Sequence, residues 1–121
     1  MAAETKPTLD VLRGTLDVLI LKALSWGPQH GYTVTRWIRE RTDQAMLIEE
    51  GALYPALYRL EAQELIAGSW GISENNRRAR FYKLTAAGRR RLRADADTWD
   101  RYATAVGRIL GASSGPAAAK R

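Results

Sequence analysis

The chain has 121 residues, 45% of them hydrophobic, so it is long enough for one domain with its own core and too apolar for wholesale disorder. Nineteen Lys and Arg residues against thirteen Asp and Glu give a formal charge of +6, which favours a polyanionic partner. The absence of cysteine excludes disulfides and Cys-based metal sites, and the chain shows neither a signal-peptide pattern nor an apolar run of about 18 residues. We therefore expect a cytoplasmic protein with no metal, no cofactor and no membrane partner.

The first predicted helix follows a polar segment, residues 1–8, that we expect to be flexible. From Leu9 to Leu24 apolar residues recur at helical spacing. The opposite side of the same helix carries a second apolar set interrupted by one glycine: Val11, Gly14, Val18 and Leu21. A helix that is apolar nearly all round needs two packing partners, and the second is most simply another subunit.

A second helix is predicted from His30 to about Arg41, with Val34 and Ile38 on its inward face. His30 is the only histidine of the chain. Because no partner carboxylate or nucleophile is recognisable near it, a role at the start of the helix is favoured over a catalytic base. The short apolar run Met46–Ile48 is expected to pair as a minor strand.

The third predicted helix lies within the stretch Glu50–Ile66 and has one narrow buried stripe formed by Leu53, Leu57 and Leu60. Pro55 is expected in its first turn or so, where a missing N–H costs little. The outward side carries small, aromatic and basic residues: Ala52, Tyr54, Pro55, Tyr58, Arg59 and Ala62. A short helix with such a surface is suited to enter a nucleic-acid groove, although an ordinary surface helix has the same pattern.

Period-two alternation follows, with Ile66–Ile72 and Arg80–Leu84 as strands and Ser73–Asn76 as turn residues. This pattern predicts a β-hairpin. Three arginines cluster at its tip and second strand: Arg77, Arg78 and Arg80. Runs of charge usually form solvated faces, but beside a groove-binding helix these side chains are expected to contact phosphates or a minor groove.

The last predicted helix spans residues 85–110, with Thr85 as a plausible N-cap. Its apolar positions are spaced as a heptad seam: Leu92, Ala96, Trp99, Ala103, Val106 and Leu110. Such a seam needs another helix, and a second copy of the chain is the economical source. The tail, residues 111–121, is rich in small residues and is expected to be flexible.

Four segments together resemble the PadR family of bacterial transcription regulators, in its short-tailed subfamily: LRGTLDVLILKAL, HGYTVTRWI, GALYPALYRLEAQELI and RRARFYKLTAAGRRRL. The resemblance implies a mainly helical fold with a small hairpin. Residues 9–84 would form a winged helix-turn-helix and residues 85–110 a dimerisation helix. It also implies a homodimer that regulates transcription by binding an inverted-repeat operator in double-stranded DNA.

The resemblance places the DNA contacts on the third helix, the start of the second helix and the wing. The implied residues, together with Tyr58 from the outward helix surface, are Tyr32, Thr33, Tyr54, Pro55, Tyr58, Arg59, Arg77, Arg78 and Arg80. The chain departs from the family pattern at two places. Glu64 stands where glycine is usual at the left-handed end of the third helix, at a cost of about 1 kcal/mol. Asn75-Asn76 replaces a glycine at the wing tip, where asparagine tolerates positive φ.

A closer likeness, to the multidrug-binding branch of the family, rests on SWGISE, RRARFYKLT and ADTWDR. It implies that Trp99 and its symmetry mate sandwich a planar aromatic ligand at the dimer centre. The remaining implied lining residues are Val11, Gly14, Asp17, Val18, Ala96 and Ala103. Trp99 also lies on the heptad seam, so filling the interface is the alternative role. The resulting hypothesis is a ligand-responsive repressor.

Three other classes stay open at this level. A winged helix can bind protein instead of DNA, and its interaction with any duplex would then be weak and insensitive to salt. RNA binding normally uses exposed aromatic side chains of the protein to bind single-stranded targets. Competition between duplex DNA and single strands for the protein would therefore identify it. An enzyme is the weakest alternative, because no nucleophile–base pair, metal-ligand cluster or phosphate-binding loop is recognisable.

Overall fold

The computed structural model describes residues 14–117, which form four α-helices and a three-stranded antiparallel sheet. The helices are α1 (Thr15–Ala23, continued by a 3-10 turn at Leu24–Trp26), α2 (Gly31–Arg41), α3 (Glu50–Ala62) and α4 (Ala86–Leu110). The strands are β1 (Gln29–His30), β2 (Ile66–Ile72) and β3 (Arg78–Leu84), in the order β1-β3-β2. This arrangement confirms the predicted winged helix-turn-helix with a long C-terminal helix.

The core lies between α1, α2, α3 and the inner face of the sheet. The predicted stripe of α3 is at its centre, with Leu53, Leu57 and Leu60 each 1% exposed. Val34 and Ile38 of α2 are buried against it, as predicted. Because α3 buries this one stripe, its opposite side is left on the surface.

The prediction for the first helix is wrong in two respects. The helix does not run through Gly14, since that residue has φ +84, which does not continue a right-handed helix, and α1 begins at Thr15. Leu21, expected on an intersubunit face, is fully buried in the chain's own core because α1 contacts α2, α3 and α4 of the same chain. The part of the predicted helix before Gly14, which includes Val11, lies outside the described residues.

The third strand is not at Met46–Ile48, which is irregular, but at Gln29–His30, which pairs with Tyr82 and Phe81 of β3. Met46 and Ile48 satisfy their apolar character by packing against the core from a loop. The backbone N–H of Met46 donates to the Thr42 hydroxyl at 3.1 Å, not to a strand partner. Apolar content alone therefore misassigned this segment.

The third helix ends at Ala62, two residues before the expected left-handed position at Glu64, and Ile66 begins β2, as the period-two pattern predicted. Glu64 has φ +60, which confirms the expected left-handed conformation. The N–H of Leu65 donates to the Leu60 carbonyl at 3.0 Å and that of Glu64 to the Glu61 carbonyl at 2.9 Å, the bonding pattern of a Schellman C-cap.

Pro55 is the sixth residue of α3, so it lies in the second turn, just beyond the N-terminal positions whose N–H groups lack helical partners. Its missing N–H leaves the Gly51 carbonyl without its helical partner. Gly51 and Pro55 are both exposed, so water can satisfy that carbonyl. The break in the hydrogen-bond ladder therefore lies on the outward side of α3.

The hairpin and the start of α4 follow the prediction. Ile66 pairs with Leu84 at one end of the β2–β3 ladder and Ile72 with Arg78 at the other, and Asn76 at the tip has φ +57. Thr85 caps α4, its hydroxyl accepting from the Gly88 N–H at 3.0 Å. After Asp95 every residue of α4 is exposed, and so are residues 111–117, which form no regular element.

Gly88 sets how closely α4 approaches the α3–β2 connection. A Cβ at this position would lie 2.0 Å from the Leu65 carbonyl oxygen and 2.7 Å from Cδ1 of Leu84. We expect Gly88→Ala to lower the free energy of unfolding by about 2 kcal/mol or more, because a buried backbone carbonyl cannot move aside at low cost.

Gly107, on the exposed half of the same helix, has no atom within 4 Å of such a Cβ. Gly107→Ala is therefore the matched control, and it should raise the free energy of unfolding by up to about 1 kcal/mol through helix propensity. Urea denaturation of both variants measures these changes. Equal effects of the two substitutions would contradict the packing role of Gly88.

Candidate nucleic-acid interface

The outward side of α3 is a continuous exposed surface of aromatic and basic side chains. Tyr54 and Tyr58 are 49% and 76% exposed, and Pro55 and Arg59 are exposed beside them. These aromatic side chains are exposed because they lie on the side of α3 opposite its buried leucine stripe. The predicted residues of α3 thus lie together on one surface.

The start of α2 is held against α3 by a histidine cap and a close glycine contact. The His30 side chain accepts from the Thr33 N–H at 3.4 Å, which confirms its role at the start of the helix. At Gly31, an added Cβ would lie 3.1 Å from Cδ2 of Leu53 and 3.4 Å from the Tyr54 hydroxyl. This close approach places the exposed Tyr32 near the N-terminal half of α3.

The three predicted wing arginines have different surroundings. Arg77 and Arg78 are exposed, whereas Arg80 is half-buried and donates from Nη2 to Oε2 of Glu61 on α3 at 2.7 Å. The same Glu61 oxygen accepts from the Gly68 N–H of β2 at 3.1 Å. Glu61 therefore bonds both strands of the wing to α3, and Arg80 acts in holding that orientation.

A cleft of about 280 Å³ lies between the start of α2, α3 and the wing. Its lining is aromatic and basic: His30, Gly31, Tyr32, Tyr54, Trp70, Arg78, Ala79, Arg80 and Tyr82. Burial raises the pKa of the Tyr82 phenol, with Glu61 adding to the shift and Arg80 opposing it. Trp70 was not among the predicted site residues. Its position in the period-two pattern, on the strand that pairs with the one carrying Arg80, could have indicated that it lies beside that arginine.

Arg59 is held by an ion pair to α1. Its Nη2 lies 2.9 Å from Oδ1 of Asp17, whose side chain is 21% exposed. Asp17 was predicted as a lining residue of the ligand site, but its carboxylate is directed to α3. Asp17 therefore links α1 to the predicted DNA-contact surface.

A second cleft, of about 500 Å³, lies between α1 and α4. It brings together three predicted ligand-site residues, Gly14, Val18 and Trp99. Ala96 and Ala103 are exposed elsewhere on α4, and Val11 is outside the described residues. The remaining lining residues were not predicted: Thr15, Arg91, Asp95, Thr98 and Tyr102. Arg91 and Asp95 form an ion pair of 2.9 Å, and Trp99 stacks on Tyr102 with ring centroids 6.0 Å apart.

The predicted heptad seam is covered by this chain only at its start. Leu92 packs against the core, whereas the rest of the seam is exposed: Ala96, Trp99, Ala103, Val106 and Leu110. Ile109 adds another large apolar side chain, 77% exposed, to the end of the helix. An exposed apolar stripe of this length on a folded domain is typical of an interaction surface.

Within residues 14–117, no helix combines the length and the apolar character that a membrane span requires. No three or more His, Cys, Asp or Glu side chains of this part of the chain are grouped so that they could hold a metal ion.

The fold and its exposed basic and aromatic surface define the class of winged-helix DNA-binding proteins. Residues 20–94 match the transcriptional regulator PadR-like family, and the chain belongs to this family of transcription regulators, which is not a family of enzymes.

The chain is similar in sequence or in structure to known proteins. The chain is 30% identical to uncharacterized protein X of Lysinibacillus sphaericus over 90 residues, which cover 74% of the chain and 83% of that protein. A transcriptional regulator from Clostridium thermocellum is similar in structure, with a TM-score of 0.75 and 30% identity over 84% of this chain and 99% of that one. A PadR family transcriptional regulator from Eggerthella lenta has a TM-score of 0.67 and 34% identity over 81% and 83% of the two chains.

The Asp17–Arg59 pair leads to a prediction about DNA affinity. Asp17→Asn frees the Arg59 guanidinium, and an exposed pair of this kind is worth up to about 1 kcal/mol, so we expect binding to duplex DNA to tighten by up to about fivefold. Fluorescence anisotropy at fixed salt measures the change.

Asp97→Asn is the matched control, because Asp97 pairs with Arg101 on the exposed half of α4 and its loss changes the net charge equally. The two variants should differ. An equal gain in both would mean that only net charge matters, and weaker binding by Asp17→Asn would mean that Asp17 orients Arg59 for contact.

Proposed function

We propose that this regulator is a sequence-specific repressor that binds an inverted-repeat operator as a homodimer and responds to a planar aromatic ligand. The observation that carries the proposal is the surface of α3, where Tyr54, Tyr58 and Arg59 are exposed on the side opposite the buried leucines. A basic wing is bonded to one end of the same helix through Glu61.

Each predicted DNA contact has a role that its position supports. The major groove admits an α-helix, so Tyr54, Pro55 and Tyr58 would meet base edges while Arg59 reaches base edges or flanking phosphates. Tyr32 and Thr33, at the start of α2, would anchor the domain on phosphate. Arg77 and Arg78 would follow the backbone from the wing. Arg80 would serve mainly by keeping the wing in place.

The proposed dimer rests on α4. Its exposed apolar stripe has the period of a helix–helix seam, and burying Val106, Ile109 and Leu110 against a second copy would remove the largest exposed apolar side chains at the end of α4 from water. Two-fold symmetry would then present two α3 helices to half-sites about one DNA turn, roughly 34 Å, apart.

The proposed ligand site is the cleft between α1 and α4. Trp99 and Tyr102 offer aromatic faces, and an aromatic stack adds about 0.5 to 1.5 kcal/mol beyond burial. The cleft wall on α1 includes Val18, which is the neighbour of Asp17 in the chain. A ligand that shifts α1 would therefore also shift the partner of Arg59, which couples the ligand site to the DNA surface.

The DNA-binding proposal predicts a defined salt dependence. Arg59, Arg77 and Arg78 are the arginines that we expect to contact phosphates. Six such contacts in a dimer give a slope of log K against log salt of about −5. Anisotropy with a duplex from the chain's own upstream region measures this slope. Replacing Arg77 and Arg78 by Gln should make the slope shallower by roughly 3 to 4.

Arg108→Gln is the control, since Arg108 is an exposed arginine in the last turn of α4. It should leave the slope unchanged. Binding that ignores both salt and Arg59→Ala would instead support a protein-binding winged helix, and preference for single strands would support RNA binding.

The dimer predicts a position-dependent effect of one added charge. Val106→Lys places an ammonium on the apolar stripe, and we expect it to shift the protein towards monomer at micromolar concentration because a buried unpaired charge is costly. Thr104→Lys adds the same group off the stripe and should leave the dimer intact. Sedimentation velocity distinguishes the species, and a monomeric wild-type protein would refute the dimer.

The ligand site predicts a tryptophan-specific signal. A planar cationic dye such as ethidium should quench the intrinsic fluorescence of the wild-type protein, because its ring system would stack on Trp99. In Trp99→Phe, which keeps the other three tryptophans, most of this quenching should be lost. Unchanged quenching in that variant would exclude the α1–α4 cleft as the dye site.

A further inference from the structure

Trp70 is a large aromatic side chain on the wing that the core does not use. The β2–β3 register places it opposite Arg80, on the same face of the hairpin as Tyr82 and Leu84. Tyr82 and Leu84 are buried under that face, but Trp70 lies beyond the edge of the core and is 58% exposed. It therefore faces the cleft between the wing and α3.

Two guanidinium groups fix the position of this indole. The Arg78 guanidinium carbon lies 4.5 Å from the ring centroid and that of Arg80 lies 5.7 Å from it, both within cation–π range. Arg80 is in turn bonded to Glu61 of α3. The indole is thus exposed and yet held in a set position relative to the outward surface of α3.

We infer that Trp70 is a DNA-contact residue of the wing, with its ring against a deoxyribose of the backbone and the Arg78 guanidinium on the adjacent phosphate. The inference rests on the proposed DNA-binding function. The apolar ring face complements the apolar edge of a sugar, and the indole N–H, which only donates, suits a phosphate oxygen. The contact is with the backbone, so it adds affinity without reading sequence.

The surroundings of Trp70 distinguish it from Trp26, which is also exposed. Trp26 packs edge-on against Trp37, with ring centroids 5.5 Å apart, and has Lys22 above it at 4.7 Å. It lies after α1 and lines a different cleft, with Val34 and Gln29. Trp26 therefore matches Trp70 in exposure and cationic contact but lies outside the predicted DNA surface.

The test uses the full chain and a duplex that the wild-type protein selects from a random-sequence pool, together with an unrelated duplex of the same length. We expect Trp70→Ala to weaken binding to both duplexes roughly tenfold, by the same factor, since only the backbone contact is lost. Trp70→Phe should lose less, and Trp26→Ala should bind like the wild type.

Fluorescence gives an independent readout if Trp70→Ala proves unstable. Duplex DNA should change the tryptophan emission of the wild type, and Trp70→Phe should lose most of this change. Wild-type affinity in Trp70→Ala, or an unchanged signal in Trp70→Phe, would overturn the inference, and a loss limited to the selected duplex would overturn the backbone contact. Failure of the wild type to retain any duplex would instead overturn the proposed function itself.

Discussion

The burial of one leucine stripe on α3 is the constraint on which the rest of the structure depends. Leu53, Leu57 and Leu60 are almost wholly removed from water, and at about 1.5–3 kcal/mol for each buried side chain no surface interaction of this domain competes with them. Rotating α3 to expose another face would bring Arg59 or Tyr58 into the core. The same burial that stabilises the domain therefore determines which side chains are presented to DNA.

The wing is positioned by polar contacts instead. One carboxylate, that of Glu61, accepts hydrogen bonds from Arg80 on β3 and from the Gly68 N–H on β2, so both strands are bonded to α3. Because Glu61 and Arg80 are both only about one-third exposed, this pair is less screened by solvent than the exposed Arg101–Asp97 pair of α4. This ion pair gives Arg80 a positioning role, whereas Arg77 and Arg78 of the same wing are exposed.

The helix α1 lies between two surfaces that the proposed mechanism must connect. Val18 borders the cleft against α4, and Asp17 holds Arg59 of α3. Coupling between distant sites requires an element whose arrangement both sites influence. A nine-residue helix that touches both is a short physical path for such coupling.

The sequence by itself determined the helices, the hairpin, the buried stripe and the outward surface of α3, because period and side-chain chemistry are local properties. It also indicated the α4 seam and the Thr85 cap. It misplaced the third strand, and it continued the first helix through Gly14. A strand of two residues and a glycine in the left-handed conformation leave almost no pattern in the sequence. Only the tertiary structure decided that Leu21 is core, that Asp17 faces Arg59, that Arg80 is held by Glu61 and that Trp70 joins the cleft. These are contacts between residues far apart in the chain, and their geometry is set by how the elements pack together.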